Sequence, residues 1–174
     1  MMSIIGEPSR FAIEFELLQH YDGVWLFGKV CFWICNQRVG DYNLGTSLRD
    51  FLFQIEQGRC DHGQRMSTRF ENMPAKEVIE LIDNALFGDN SSQYEEVAVN
   101  EQWARHNIVP AIDVFDNWKV YLIETKTVAR IIFCSSEELS DVHECLLTPG
   151  ECDNVFIKIY QELDRLHNKE LSEL

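Results

Sequence analysis

Hydrophobic residues occupy both parities of the stretch from Val24 to Cys35 (VWLFGKVCFWIC), interrupted only by Gly28 and Lys29. A strand with one exposed face would alternate with polar residues, whereas a strand covered on both faces need not. The pattern therefore predicts the central strand of a sheet, with the rest of the chain packed around it. Gly28 within this strand indicates a bulge or a close approach of another backbone.

The segment that follows predicts a turn, a returning strand and a helix. Asn36-Gln37 is a candidate two-residue turn, and a shorter, more polar strand follows over residues 38–43. Ser47, with Asp50 three residues later, has the spacing of a capping box at the start of a helix. The next apolar residues recur at helical spacing and predict one buried stripe: Leu48, Phe51, Leu52 and Ile55.

Strand-like and helix-like spacings of apolar residues predict the remaining elements. Alternation of apolar and polar residues predicts a strand at Phe11–Leu17. Apolar runs, those of the middle pair rich in β-branched and aromatic residues, predict further strands at Ile108–Phe115, Lys119–Glu124, Val128–Cys134 and Val142–Leu147. Pro110 confines the first of these further strands to an edge or a strand start, and parts of residues 137–147 also suit a helix. Further helices are predicted from Pro74 to Gly88 and from a Thr148 N-cap to about Asn168.

These elements predict one α+β domain over residues 1–174. Its architecture is a mainly antiparallel sheet of about six or seven strands, with three helices packed against it on one face. A chain of 174 residues is within the usual range for a single domain and can bury a substantial core.

Three stretches in the first third of the chain resemble a known bacterial family. FAIEFELL from Phe11, WLFGKVCFWI from Trp25 and VGDYNLGTSLRDFLFQI from Val39, in that order, are similar to the opening of the family catalogued as immunity protein forty-two. This family occurs in polymorphic-toxin and contact-dependent growth inhibition systems. After Gly88 the resemblance extends only to the order of the elements.

The resemblance implies a protein that binds and neutralises a specific cognate toxin, without catalysis and without a cofactor. Many such toxins are nucleases with basic clefts, towards which an acidic inhibitor would be steered. In the matching motif, Gly40 and Gly45 suit the special backbone angles of a turn into a helix. Asp41 or Arg49 could bond the backbone there, or each other.

Acidic residues outnumber basic ones by 29 to 15, and the net charge of −14 is unevenly distributed. Residues 1–60 carry seven acidic and five basic residues, a net charge of −2, whereas residues 61–174 carry 22 and 10, a net charge of −12. Such a field disfavours binding to nucleic acid or to an anionic membrane, and it favours a basic protein partner. The alternative is that the acidity only keeps the protein in solution.

The sequence also lacks membrane, secretion and metal-binding signals. No apolar run approaches the roughly 18 residues of a membrane span, and the N-terminal MMSIIGEPSR does not have the pattern of a signal peptide. The expected location is the cytoplasm, where the six cysteines would be reduced thiols. Cys60 and His62 form a Cys/His cluster without the C-x-x-C spacing of a zinc site, so no metal is predicted.

No known catalytic motif is present: the chain lacks G-x-S-x-G, P-loop, G-x-G-x-x-G and H-E-x-x-H patterns. His143 could join a Cys/His pair with a distant thiol, but a histidine on a strand face is more often structural. The carboxylate pairs lack the apolar surroundings that would raise a pKa. A small hydrolase using His143 or a carboxylate pair is therefore the runner-up to a non-enzymatic inhibitor, and a general protein-interaction module is the third hypothesis.

The candidate partner-binding residues combine aromatic side chains with carboxylates, as expected for anchors inside a charged rim. Many lie in the least periodic segment of the chain, residues 89–107, which is long enough to be a functional loop. The predicted partner-binding residues are Tyr94, Glu95, Glu96, Glu101, Trp103, Asp113, Asp116 and Trp118. This choice follows from acidity and aromatic content. The alternative is a connecting loop whose Trp103 packs back on the core.

Overall fold

The computed structural model describes residues 2–20, 22–88 and 103–173. Within these residues the chain forms two antiparallel sheets and three α-helices, so the predicted α+β class is confirmed. The strands divide between a five-stranded and a three-stranded sheet in the described part, rather than lying in one sheet as expected.

The strands and helices follow one another in the order β1–β5, α1, α2, β6–β8 and α3. The first sheet consists of β1 (Met2–Gly6), β2 (Phe11–Leu17), β3 (Phe27–Ile34), β4 (Gln37–Val39) and β5 (Thr46–Ser47). The second sheet consists of β6 (Trp118–Glu124), β7 (Ala129–Ser135) and β8 (His143–Leu147). The helices are α1 (Leu48–Gly58), α2 (Ala75–Phe87) and α3 (Glu151–Ser172). The sequence pattern did not indicate β1 or β5.

Strand β3 is central in the first sheet, as predicted. The sheet has the order β1-β2-β3-β4, and β5 pairs with the start of β3 while β4 pairs with its end. Gly28 is a site of close backbone approach, because a Cβ there would lie 2.4 Å from the carbonyl oxygen of Glu16 and 2.5 Å from Leu48. The sequence-based expectation for this glycine is therefore confirmed.

The larger core lies between the first sheet, helices α1 and α3, and one face of the second sheet. Phe32 of β3 is at its centre, with ring centroids 4.5 Å from Phe115 and 5.7 Å from Phe156 of α3. The stripe predicted for α1 is buried in this core: Leu48, Phe51, Leu52 and Ile55. Each such side chain contributes about 1.5–3 kcal/mol by leaving water.

The second sheet is covered on both faces. Val120 and Leu122 of β6 face the larger core, whereas Tyr121 and Ile123 belong to a second core under α2. Helix α2 contributes its buried residues Val78, Ile79 and Ile82 to this second core. It therefore lies on the opposite side of the second sheet from α1 and α3, and the helices do not share one face as expected.

The helix starts are set by local hydrogen bonds. The amide of Asp50 donates to Ser47 Oγ at 3.1 Å, which confirms the predicted cap of α1. Helix α3 begins at Glu151, later than predicted, because Gly150 takes the capping position with φ 78°. The amide of Thr148 donates instead to the Glu151 carboxylate at 3.0 Å.

Two local predictions are wrong. The turn after β3 is Cys35-Asn36, one residue earlier than predicted, and both residues have the positive φ that a tight hairpin needs. Residues 108–115 form no strand. The amide of Ile112 donates to the carbonyl of Pro110 at 2.9 Å, and this bend leads into a 3-10 turn over Asp113–Phe115.

A disulfide joins Cys35 to Cys145 and so connects the β3–β4 turn of the first sheet to β8 of the second. The expectation of reduced thiols is wrong for this pair, because the fold brings the two Cα atoms to 6.0 Å, within the range that a disulfide spans. All six cysteines are among the described residues, and the other four are free thiols.

Candidate functional site

The predicted partner-binding residues separate into three groups. Tyr94, Glu95, Glu96 and Glu101 lie outside the described residues. Trp103 lies in a 3-10 turn, Trp103–His106, and is only 6% exposed. Asp113 and Asp116 are exposed around the Asp113–Phe115 turn, and Trp118, at the start of β6, is half-buried against the larger core.

Trp103 belongs to the second core. Its ring lies 5.9 Å from that of Phe70, and the guanidinium of Arg69 lies 5.6 Å from the ring centroid. Its Nε1 is buried without a hydrogen-bond partner among the described residues. Trp103 therefore packs in the second core beneath α2, as the alternative interpretation of its loop predicted, and is not an exposed anchor.

The structure brings Asp116 and Trp118 together at a surface groove of about 450 Å³. Phe87, the last residue of α2, lines the same groove and is 68% exposed. Asp113 is exposed at the other end of the same 3-10 turn, whose hydrogen bond from the Asp116 amide to the Asp113 carbonyl measures 3.1 Å. An apolar groove beside two exposed carboxylates suits a protein contact.

The basic residue in this groove is already paired. Lys119 donates to the carboxylate of Asp83 on α2, and Tyr121 Oη lies 3.4 Å from the same carboxylate oxygen. Burial, together with the nearby Asp83 charge, raises the pKa of Tyr121, so this phenol stays neutral. The exposed charges that the groove region offers to a partner are therefore those of Asp113 and Asp116.

A second cavity, of about 260 Å³, lies at the end of α1 above a buried ion pair. Arg65 Nη1 donates to Asp153 Oδ1 at 2.7 Å, and the Gly63 amide donates to the other carboxylate oxygen at 3.0 Å. Burial lowers the pKa of the neighbouring His62, whose Nε2 is 3.8 Å from Asp153. Arg65 also donates to the Arg105 carbonyl, so this cluster connects the segment after α1 with α3 and with the Trp103–His106 turn and has a structural role.

His143 does not form the Cys/His pair considered from the sequence. Its Nε2 lies 3.1 Å from the Asp141 carboxylate, and its Nδ1 lies 3.3 Å from the Gln37 amide nitrogen. The adjacent Cys145 is bonded to Cys35 and has no thiolate to offer. Within the described ranges, no group of three His, Cys, Asp or Glu residues could hold a metal ion.

The sequence analysis missed a set of exposed aromatic side chains on the first sheet and α1. Trp25 and Phe27, expected to be covered, are 42% and 39% exposed, and Phe53 of α1 is 43% exposed. Only a weak indication of their exposure is present in the sequence. Phe27 is on the same strand face as the polar Lys29, and Phe53 lies outside the buried stripe of α1.

Comparisons with known proteins give one family and one fold. The family model described as Immunity protein 42 matches residues 1–162. No curated protein sequence matches the chain. The crystal structure of CdiI from Burkholderia dolosa has a similar fold, with a TM-score of 0.75 over 92% of this chain and 99% of that one. The two sequences are 15% identical, so this likeness concerns the fold.

Proposed function

This chain belongs to the immunity protein 42 family, and we propose that it neutralises one cognate toxin by binding it directly, without catalysis. As a member of this family it is a toxin-neutralising immunity protein. The match over residues 1–162 carries this conclusion, since it extends well beyond the three motifs that suggested the family.

The chemistry of the described residues is consistent with inhibition by binding. The ion pair of Arg65 and Asp153 is held by protein groups on several sides, and both ring nitrogens of His143 have protein neighbours. An activated nucleophile would need a base within hydrogen-bond reach. The ring of His143 and the ion pair of Arg65 and Asp153 are therefore occupied by structural contacts.

The toxin that fits this protein has a basic surface. A net charge of −14 on 174 residues attracts a cationic partner and accelerates its association. Nucleases attract their substrates through basic clefts, so a nuclease domain is the kind of toxin this field suits best.

We place part of the toxin contact at the groove bordered by Asp113, Asp116 and Trp118. The two carboxylates would meet basic residues of the toxin, and the apolar groove would take a side chain at the edge of the contact. Tyr94, Glu95, Glu96 and Glu101 precede this region in the chain and remain proposed members of the same surface.

The cytoplasm is the proposed site of neutralisation. Four of the six cysteines, all six of them in the described residues, are free thiols, which is the usual state in this compartment, and the Cys35–Cys145 disulfide is the exception. No helix in the described ranges combines the length and the apolar character needed to cross a membrane.

Co-expression tests the proposed function. The chain is expressed together with the toxin domain encoded by the reading frame immediately upstream, and both growth rescue and complex formation are measured. We expect the toxin domain alone to stop growth, and the chain to restore growth and to co-purify as a stable complex. Toxicity that persists without complex formation would refute the proposal for this pair, and rescue with sub-stoichiometric chain would indicate turnover instead.

Reversing the groove charges should slow association with the toxin. We expect Asp113→Lys with Asp116→Lys to lower the association rate constant about 10-fold at low salt, because rim charges act mainly on the encounter rate. Surface plasmon resonance at two salt concentrations measures the effect, which should shrink at high salt. Glu71→Lys with Glu77→Lys, two exposed residues just before and in the first turn of α2, makes the same change in net charge at the opposite end of that helix from the groove. An equal loss in both variants would assign the effect to net charge alone.

A further inference from the structure

The outer face of the first sheet carries a set of aromatic and cationic side chains, several of which are exposed. The inward residues of β2 and β3, such as Phe15 and Phe32, lie in the larger core with α1 and α3. The alternate residues point the other way, with Ala12 opposite Trp33, Glu14 opposite Cys31, and Glu16 opposite Lys29. We call the aromatic residues Trp25, Phe27, Trp33, Tyr42 and Phe53 the aromatic belt.

One half of the aromatic belt covers a buried carboxylate. Glu14 is 2% exposed, and Trp33 Nε1 donates to its Oε2 at 2.7 Å. The guanidinium of Arg38 lies 4.8 Å from the ring centroid of Trp33 and 4.9 Å from that of Tyr42. Burial, followed by the Glu14 charge, raises the pKa of Tyr42, so its phenol stays protonated and neutral. This half therefore shields the Glu14 carboxylate from water, while Trp33 and Tyr42 remain half-buried.

The other half of the aromatic belt is open to solvent and held in place by one arginine. The guanidinium of Arg49 lies 3.6 Å from the Trp25 ring centroid and 5.9 Å from that of Phe53. Trp25 stacks on Phe27 with centroids 6.3 Å apart and planes 6° from parallel. Arg49 also donates to the Asp50 carboxylate at 2.8 Å. The exposed rings are therefore ordered before any partner arrives, which reduces the entropy lost on binding.

Scattered exposed hydrophobic residues are ordinary, but this set differs in composition and in being linked: Lys29, two residues along β3 from Phe27, has its Nζ 5.6 Å from the Tyr42 ring centroid. Tryptophan, tyrosine and arginine are the residues that most often dominate the energy of protein interfaces. The aromatic belt joins two tryptophans and a tyrosine with two arginines on one sheet face and the adjoining α1. A surface built in this way suits a protein partner, with the rings as anchors.

The charges around the aromatic belt indicate which partner it suits. The bases Lys29, Arg38 and Arg49 are each paired with a carboxylate, that of Glu16, Glu14 and Asp50 respectively. Asp22 and Asp41 are exposed and have no such ion pair among the described residues, so the charges left for a partner at the rim are acidic and complement a basic protein. The amide of Asp41 donates to the Val114 carbonyl at 2.7 Å, so this rim adjoins the Asp113–Phe115 turn that borders the groove.

We propose, on the basis of the toxin-neutralising function above, that the aromatic belt is the main docking surface for the toxin domain. Trp25, Phe27 and Phe53 are its anchors. The toxin surface that fits is an apolar protrusion surrounded by lysine and arginine side chains. The groove beside Asp116 then lies at the edge of one continuous interface.

Removing two anchors tests this proposal. We expect Trp25→Ala with Phe53→Ala to weaken binding of the purified upstream toxin domain about 100-fold or more, since each is placed as a binding hot spot. Arg49→Lys should weaken it about 5- to 10-fold, because a lysine keeps the charge but loses the planar stacking on the rings. Isothermal titration calorimetry gives the dissociation constants. Leu139→Ala with Leu146→Ala, two exposed leucines outside the aromatic belt, is the matched control and should bind as the wild type does.

The outcomes separate the two proposals. If the wild type does not bind or rescue, the proposed function fails. If the wild type binds and the Trp25/Phe53 variant binds within threefold of it, the docking surface is elsewhere. Hydrogen exchange on the wild-type complex gives a second measurement that needs no variant. It should show protection of amides in residues 24–29 and 46–53, and its absence there would overturn the inference even if the variant unfolds.

Discussion

Replacing Asp153 with alanine is expected to lower the free energy of unfolding by about 3–5 kcal/mol. The Asp153 carboxylate accepts a bond from Arg65 Nη1 at 2.7 Å and one from the Gly63 amide at 3.0 Å. Arg65 and Asp153 are 3% and 7% exposed. The alanine variant would therefore leave a guanidinium buried without its counter-charge, which costs more than the intact pair contributes.

Two further variants make this prediction specific. Asp153→Asn keeps an acceptor for the Gly63 amide but loses the charge, so we expect a loss of about half that of the alanine variant. Asp164→Ala, on the same helix and partly exposed, should change stability by less than about 1 kcal/mol. Urea denaturation followed by circular dichroism measures all three. An alanine variant within 1 kcal/mol of the wild type would contradict the role given to this ion pair.

The local elements could be predicted from sequence because their signals are local. The apolar stripe of α1 and the hairpin of β6 and β7 follow from spacings within a few residues, and the structure has both. The division into two sheets depends on which distant strands pair, and no short-range pattern encodes that choice. Among the strands of the described part, β6–β8 pair with one another and not with the first sheet, although their apolar pattern resembles that of β3.

The candidate site was less predictable, because exposure cannot be inferred from hydrophobicity. Trp25 and Phe27 continue the apolar run of β3, and the run alone does not distinguish a covered strand from one that ends in a binding surface. Trp103 shows the opposite case: among polar neighbours it suggested an exposed anchor, yet it lies in the second core. Asp113 and Asp116 are exposed, as short charged side chains usually are, and their role in partner binding stays a prediction.

The disulfide shows a further limit of sequence reasoning. Cys35 and Cys145 are separated by 110 residues, and their proximity depends on how the two sheets pack. Composition and the expected cytoplasmic location predicted free thiols, which is the correct state for Cys31, Cys60, Cys134 and Cys152. An expectation based on cellular compartment applies equally to every cysteine. The fold, in contrast, brings only certain cysteines within the Cα–Cα distance that a disulfide spans.

Replacing Cys35 with serine is expected to lower the free energy of unfolding of the oxidised protein by about 3–5 kcal/mol. The cross-link closes a loop of 110 residues, and the loss of chain entropy in the unfolded state grows with loop length. It also holds the β3–β4 turn against β8, which the sheet hydrogen bonds do not connect.

Comparing the oxidised and the reduced protein provides a control for this prediction. In dithiothreitol the wild type should lose the same about 3–5 kcal/mol and match Cys35→Ser, whose own stability should not respond to the reductant. Cys60→Ser, which changes an exposed free thiol, should behave as the wild type does in both conditions. The two extensive cores keep the reduced protein folded, so a cooperative transition is expected throughout. A wild type that is cross-linked by mass spectrometry but equally stable with and without reductant would contradict the stabilising role of this disulfide.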